Sequence, residues 1–161
     1  MMDKKLVILG AGQSGVGAAI LGKKMGYEVL VSDQNNINTE LQALLEKEGI
    51  RWEAGQHTLE SMQEAHLVVK SPGIPSDVPL IKTLKAQGKT ICSEIEFAAQ
   101  HTSATLIGIT GTNGKTTTTL LTYQILKEAG LHVGMAGNIG TSFALQVAQT
   151  DFDFYVLELS S

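Results

Sequence analysis

Short apolar runs punctuate the chain at intervals, separated by longer stretches in which apolar residues recur three or four positions apart. Leu6-Val7-Ile8-Leu9 reads as a buried strand, and residues 28–32, 51–54, 66–70 and 90–92 read as four more. Between them, residues 14–25 form a predicted helix rich in Ala and Gly. A second helix runs through Glu48, capped by Asn38 or Thr39, and a third covers residues 80–87. Pro72, Pro75 and Pro79 mark a turn-rich segment ahead of that third helix. A short helix over residues 94–101 and the connection His101-Thr102-Ser103 lead into a second run. Its strands are expected at residues 105–110, 132–135 and 154–159, with helices after Gly114 and near residues 141–149.

Alternating short strands and helices predict an α/β fold with parallel pairing and right-handed crossovers. The expected architecture is a Rossmann-like parallel-sheet N-terminal domain over residues 1–93. A partial phosphate-loop α/β central domain follows over residues 94–161, with the boundary between residues 93 and 103. A three-stranded parallel sheet needs helices on both faces, so the second unit is expected to be truncated.

Two glycine turns carry the candidate chemistry. Thr110 to Thr119 reads TGTNGKTTTT, placed between a predicted strand and a predicted helix. Backbone amides in such a loop can turn onto phosphate oxygens, and the helix N-terminus adds partial positive charge. Lys115 can reach the outer phosphates of a nucleotide, and the Thr116 hydroxyl can serve a bound Mg²⁺. The general pattern G-x-x-x-x-G-K-[ST] is not met in full, because Ile109 stands where its first glycine belongs and Gly111 comes two residues later. The other turn, Gly10-Ala11-Gly12-Gln13-Ser14-Gly15, is G-x-G-x-x-G between the first strand and the first helix, with Asp33 at the end of the second strand. By itself it predicts a dinucleotide, with Asp33 on a ribose hydroxyl. The same geometry suits another diphosphate, such as a UDP-sugar, and a hydride-transfer enzyme has no need of the second loop.

Charge and composition narrow the choice. The 161 residues carry a net charge of −4, with 10 cations and 10 anions up to residue 93 and 2 and 6 thereafter. No cluster of cations marks a nucleic-acid face. No apolar run approaches the ~20 residues of a membrane span, and the N-terminus is no secretory signal. A single cysteine, Cys92, permits no internal disulfide and fits a reducing cytoplasm. Its expected role is that of a small buried apolar residue. His57, His66, His101 and His132 show no ligand spacing, and nothing indicates an oligomer.

The loop spelling TGTNGKTTT resembles the ATP-binding loop of the Mur ligases and their relatives, including folylpolyglutamate synthase. Further markers in order, GAGQSG at 10–15, Asp33, SPGIP at 71–75, SEIE at 93–96, GNIG at 137–140 and LELSS at 157–161, are similar to the D-glutamate-adding branch of that family. The resemblance implies an ATP- and Mg²⁺-dependent ligase. It would join D-glutamate to UDP-N-acetylmuramoyl-L-alanine through an acyl phosphate, in cytoplasmic synthesis of peptidoglycan precursors. It also implies residue roles. Gln13, Ser14 and Asp33 would face the uridine diphosphate. Ser71, Pro72 and Gly73 would hold the sugar nucleotide from the domain edge, and Asn138 would reach it from the central domain. Gly111, Thr112, Asn113, Gly114, Lys115, Thr116 and Thr117 would wrap the ATP phosphates, with Lys115 catalytic. Thr116 and Glu158 would bind Mg²⁺. The family's remaining machinery lies beyond Ser161, so these residues alone are expected to be inactive.

Plainer roles stand beside these. Ser71-Pro72-Gly73 fits a type II turn with Gly at its second central position, Gly137-Asn138 fits a simple turn, and Asp33 could cap the loop that follows it. Glu158 ends a buried-type strand, where α/β sheets gather their ligands. Two other function classes compete: an NAD(P)-binding Rossmann oxidoreductase and a non-catalytic nucleotide-binding protein.

Overall fold

The computed structural model describes residues 4–160. The first five strands are β1 (Lys5–Leu9), β2 (Glu28–Asp33), β3 (Arg51–Ala54), β4 (Leu67–Lys70) and β5 (Thr90–Ser93). They form one parallel sheet in the order β3-β2-β1-β4-β5. Strand order reverses around β1, which places the first glycine turn at the point where neighbouring connections diverge. The helices of this half are α1 (Gln13–Lys24), α2 (Thr39–Lys47), α3 (Leu59–Glu64) and α4 (Pro79–Ala86). Asn38 caps α2 by accepting from the Glu40 amide at 2.8 Å, and Pro79 opens α4, where its missing N–H costs nothing.

The α5 helix (Glu94–Ala99) starts directly after β5 with a capping box: Ser93 accepts from the Glu96 amide while the Glu96 carboxylate accepts from the Ser93 amide. Beyond it lie β6 (Thr105–Ile109), α6 (Lys115–Glu128), β7 (Val133–Gly137), α7 (Phe143–Gln149) and β8 (Phe154–Glu158). These three strands form a second parallel sheet in the order β6-β8-β7. The chain is α/β throughout, with both sheets parallel as the alternation predicted.

α1 is the helix that joins the halves. It packs on β1 and β2 and against α7 of the second half. Its small residues permit this: a Cβ on Gly17 would lie 2.1 Å from Ser142 Oγ, and one on Gly15 would lie 1.9 Å from the Gly10 carbonyl oxygen. One continuous apolar cluster therefore runs from Leu6, Ile8 and Val31 through Phe97 to Phe143, Tyr155 and Leu157.

Two features were not legible beforehand. α3 falls in a segment read as connection, because among its described side chains Met62 alone is fully buried, too little on which to build a pattern. The last helix begins at Phe143 rather than at Thr141, since Ser142 turns out of the helix to cap it and Thr141 bridges to Ala136. α6 buries Thr119 but leaves Leu120, Leu121 and Ile125 exposed. Among the described residues no helix is long and apolar enough to cross a membrane. The final residue of the LELSS marker, Ser161, lies outside the described residues.

Candidate functional site

The first glycine turn opens onto a cleft of about 1130 Å³ at the carboxyl ends of the first sheet's strands. Gly10 and Gly12 come from the end of β1, Asp33 from β2, His57 from beyond β3, and Ser71, Gly73 and Pro75 from beyond β4. Gly10 has φ +93°, a conformation that L side chains rarely adopt, and a Cβ there would meet Ser71 Oγ at 2.6 Å. The backbone at this turn is thus bare, and the N-terminus of α1 carries no side-chain cap. Gln13 and Ser14 stand in the first turn of α1, exposed and half-buried respectively. Free helix-terminal amides beside an open cleft are suited to an anion.

Asp33 is tied into this turn. One carboxylate oxygen accepts from the Ala11 amide at 2.7 Å and the other from the Asn35 amide at 2.8 Å. It therefore caps its own loop, as the plainer reading held, and braces the glycine turn at the same time while still lining the cleft. Ser71, Pro72 and Gly73 do form a turn, closed by the Ile74 amide donating to the Ser71 carbonyl at 3.1 Å. It is not of type II, because Gly73 lacks the positive φ that type demands. Ser71 and Gly73 line the cleft, whereas Pro72 is exposed outside its lining.

The second candidate site lies at the carboxyl end of the smaller sheet. Gly111 (φ +145°) and Gly114 (φ +77°) let the loop between β6 and α6 fold back over the helix start. Thr112, Asn113, Thr116 and Thr117 are exposed along it. Lys115 Nζ donates to the Gly111 carbonyl at 2.6 Å, so the amine already sits over the loop rather than out in solvent. Of the threonines that follow, Thr119 turns inward and donates to the Lys115 carbonyl at 2.8 Å. Thr116 remains available.

Glu158 ends β8, the middle strand, and is paired in register with Ile109 on one side and Gly137 on the other. Those two strand ends lead into the Lys115 loop and to Asn138. The Glu158 side chain is buried, and its Oε2 finds no hydrogen-bond partner among the described residues. A buried carboxylate oxygen left unpaired is costly; a bound cation would satisfy it. With the Thr116 hydroxyl it supplies the hard oxygen donors that Mg²⁺ selects, so the residues present fit that ion. Asn138 lies on the same edge. Its amide donates to the Glu158 carbonyl at 2.9 Å and its Oδ1 accepts from Ser160 Oγ at 3.1 Å. It is exposed and is not part of the first cleft's lining.

Sequence reasoning missed a polar network beneath the cleft. Ser32 is fully buried, yet its Oγ lies 2.6 Å from Glu53 Oε1 and 2.6 Å from His57 Nδ1. Glu53 also accepts from the Thr58 amide and hydroxyl. Desolvation, the strongest single influence on Glu53, pushes its carboxyl up. The hydrogen bonds from Ser32 and Thr58 and the nearby His57 together outweigh it and hold the group below the usual carboxylate range. No signal local to either residue marks this pairing, because Ser32 and Glu53 meet only as register partners on adjacent strands.

Comparison with known proteins bears on both sites. Residues 4–93 match the family described as Mur ligase MurD-like, N-terminal domain, and residues 109–161 match the Mur ligase middle domain. The UDP-N-acetylmuramoylalanine–D-glutamate ligase of Bacteroides fragilis is 58% identical over 98% of the chain, and that of Bacteroides thetaiotaomicron is 57% identical over 98%. The chain spans 36% of the length of each. Among solved structures, a murein peptide ligase from Psychrobacter arcticus superposes with a TM-score of 0.63 at 26% identity, over 96% of this chain and 37% of that one.

Proposed function

Because this chain belongs to the Mur ligases, in their MurD-like branch, we propose that the whole protein is an ATP-dependent ligase joining D-glutamate to UDP-N-acetylmuramoyl-L-alanine. Residues 1–93 would seat the sugar nucleotide and residues 94–161 would contribute the triphosphate site, in a cytoplasmic step of peptidoglycan precursor synthesis. One observation carries the second half of this reading. The unpartnered oxygen of Glu158 lies on the strand whose neighbours lead to the Lys115 loop and to Asn138. A Rossmann oxidoreductase would need only the first cleft.

The chemistry follows from the weakness of a carboxylate as an electrophile. The substrate carboxylate oxygen attacks the γ-phosphorus of ATP, the bond from that phosphorus to the β–γ bridging oxygen breaks, and ADP leaves. The D-glutamate amine then attacks the acyl carbon, a proton is lost from nitrogen, and inorganic phosphate departs with the carbon–oxygen bonding pair. Backbone amides of Gly111 to Thr117 would hold the phosphates, and Lys115 Nζ, moving from the Gly111 carbonyl, would neutralise charge on the transferring group. Mg²⁺, held by Thr116 and Glu158, would supply further charge neutralisation on the phosphate oxygens. Across the first cleft, Gln13, Ser14 and Asp33 would face the uridine diphosphate, with Ser71, Pro72 and Gly73 at its edge and Asn138 reaching from the second sheet. We assign no turnover to residues 1–161 by themselves.

The test is Lys115→Ala in the whole protein. Ligation and phosphate release should fall by about 100-fold or more, while UDP binding by calorimetry stays unchanged. Undiminished ligation would remove Lys115 and its loop from the mechanism. A fluorescence change on NADH titration, without UDP binding, would favour the oxidoreductase instead.

A further inference from the structure

Asn138 is exposed, yet the loop that carries it is held down at both ends. Gly137 takes φ +104° and lies so close to β8 that a Cβ there would stand 2.2 Å from the Glu158 carbonyl oxygen. Gly140 takes φ +81°, and a Cβ there would stand 2.8 Å from the Met135 carbonyl oxygen. Between them the Asn138 amide donates to the Glu158 carbonyl at 2.9 Å, and Thr141 then returns to bridge with Ala136. The loop leaves β7 and closes back on it.

Gln146, on α7, ties the two ends together. Its Nε2 donates to the Met135 carbonyl at 2.7 Å, before the loop, and to Thr141 Oγ1 at 2.8 Å, after it. A carbonyl can only accept, so the amide nitrogen and not the amide oxygen faces Met135. Both of its hydrogens are thereby used, one on each root of the loop. The Oε1 edge crosses β7 at Gly134, where a Cβ would come within 2.8 Å of it; the strand is bare where the side chain passes. α7 in turn packs on α1, the helix that opens at the first cleft. Gln146 itself is only half-buried and does not line that cleft.

We propose that Gln146 is a positioning residue for sugar-nucleotide binding, which holds Asn138 in place before the substrate arrives by clasping Met135 to Thr141. Gly137 and Gly140 give the loop much backbone freedom to lose. Ordering it in advance spares the ligand that cost, which appears as affinity and not as chemistry. The proposal rests on the reading that Asn138 reaches the sugar nucleotide, and deepens it by naming the group that keeps Asn138 there.

A double-mutant cycle in the whole protein tests it, by steady-state ligation with UDP-N-acetylmuramoyl-L-alanine, ATP and D-glutamate. Gln146→Leu keeps the side-chain shape and removes both donors. It should raise KM for the sugar nucleotide about tenfold, while kcat and KM for ATP stay within about twofold. Asn138→Ala should raise the same KM, and in that background Gln146→Leu should add less than about twofold, because nothing is left for it to position. Thr141→Val, at an exposed position, removes one acceptor alone; it should raise KM about threefold and carries the test if Gln146→Leu folds poorly. A KM unmoved by either variant, a fall in kcat alone, or equal losses in the two backgrounds would overturn the role of Gln146. An unchanged KM in Asn138→Ala would instead overturn the reading of Asn138 on which the proposal rests, and absence of ligation by the wild type would overturn the sugar-nucleotide reading itself.

Discussion

Glu94, the first residue of α5, accepts the hydroxyl proton of Ser142, the N-cap of α7, at 2.7 Å, and the same Oε1 accepts from the Ala144 amide at 2.7 Å. One carboxylate at the end of the first sheet thereby satisfies helix-terminal donors that belong to the second. Ser142 Oγ in turn accepts from the Leu145 amide at 3.1 Å and sits where a Cβ on Gly17 would intrude. The arrangement links the helix behind the first glycine turn to the helix behind the Asn138 loop.

Removing this acceptor should be costly. Glu94 is 4% exposed, so Glu94→Ala would leave the Ser142 hydroxyl and the Ala144 amide without a partner in a site closed to water. The expected loss is about 2–3 kcal/mol. Glu94→Gln keeps a carbonyl oxygen at the same position and should lose less than about 1 kcal/mol. Urea denaturation followed by circular dichroism measures both; equal losses for the two variants would mean that the side-chain volume matters and the acceptor does not.

The two variants also separate in their response to pH. Burial raises the Glu94 carboxyl above its ordinary value of 4.5, outweighing the hydrogen bonds from Ala144, Ser142 and Phe143 that favour the ionised form. A folded-state value above the unfolded one means the native state binds the proton more tightly. This contribution is complete below pH 4.5 and is lost as pH rises through the raised folded value. Gln does not titrate. The stability gap by which wild type exceeds Glu94→Gln should therefore be widest near pH 4 and narrow toward pH 7, as measured by denaturation across that range. A gap that widens with pH would show that Glu94 is held below its ordinary value.

How much of this could be read from residues alone varies with the physics involved. The strands of the first sheet were legible because Leu6–Leu9 and Val29–Val31 are apolar runs bounded by turn residues, and parallel pairing follows from the helices between them. The glycine turn was legible for a similar reason, since a Cβ on Gly15 would lie 1.9 Å from the Gly10 carbonyl oxygen, so only a residue without one fits there. Strand order was not, because nothing local to β4 says that it pairs with β1 rather than with β3. The turn at Ser71–Ile74 was placed correctly but given the wrong type: Pro-Gly permits a positive φ at Gly73 without requiring one. Glu94 and the Ser32–Glu53–His57 network went unseen because their partners lie 48, 21 and 25 residues away. Long-range polar pairing leaves no periodicity.

Glu158 sets stability against function, and that opposition is measurable. Its Oε2 is buried and has no hydrogen-bond partner among the described residues, a condition that costs about 1–3 kcal/mol. An amide at this position has one fewer oxygen to satisfy and no charge, although its NH₂ needs a partner of its own. Glu158→Gln should therefore be at least as stable as wild type in the absence of nucleotide, with a melting temperature equal or a few degrees higher. Adding MgCl₂ and a non-hydrolysable ATP analogue to the whole protein should raise the wild-type melting temperature, by linkage to binding, and should raise that of Glu158→Gln far less. Because the readout is thermal unfolding, it does not depend on turnover. Equal stabilisation of both proteins by Mg²⁺ and nucleotide would exclude Glu158 as a metal ligand and leave its unpaired oxygen without a function.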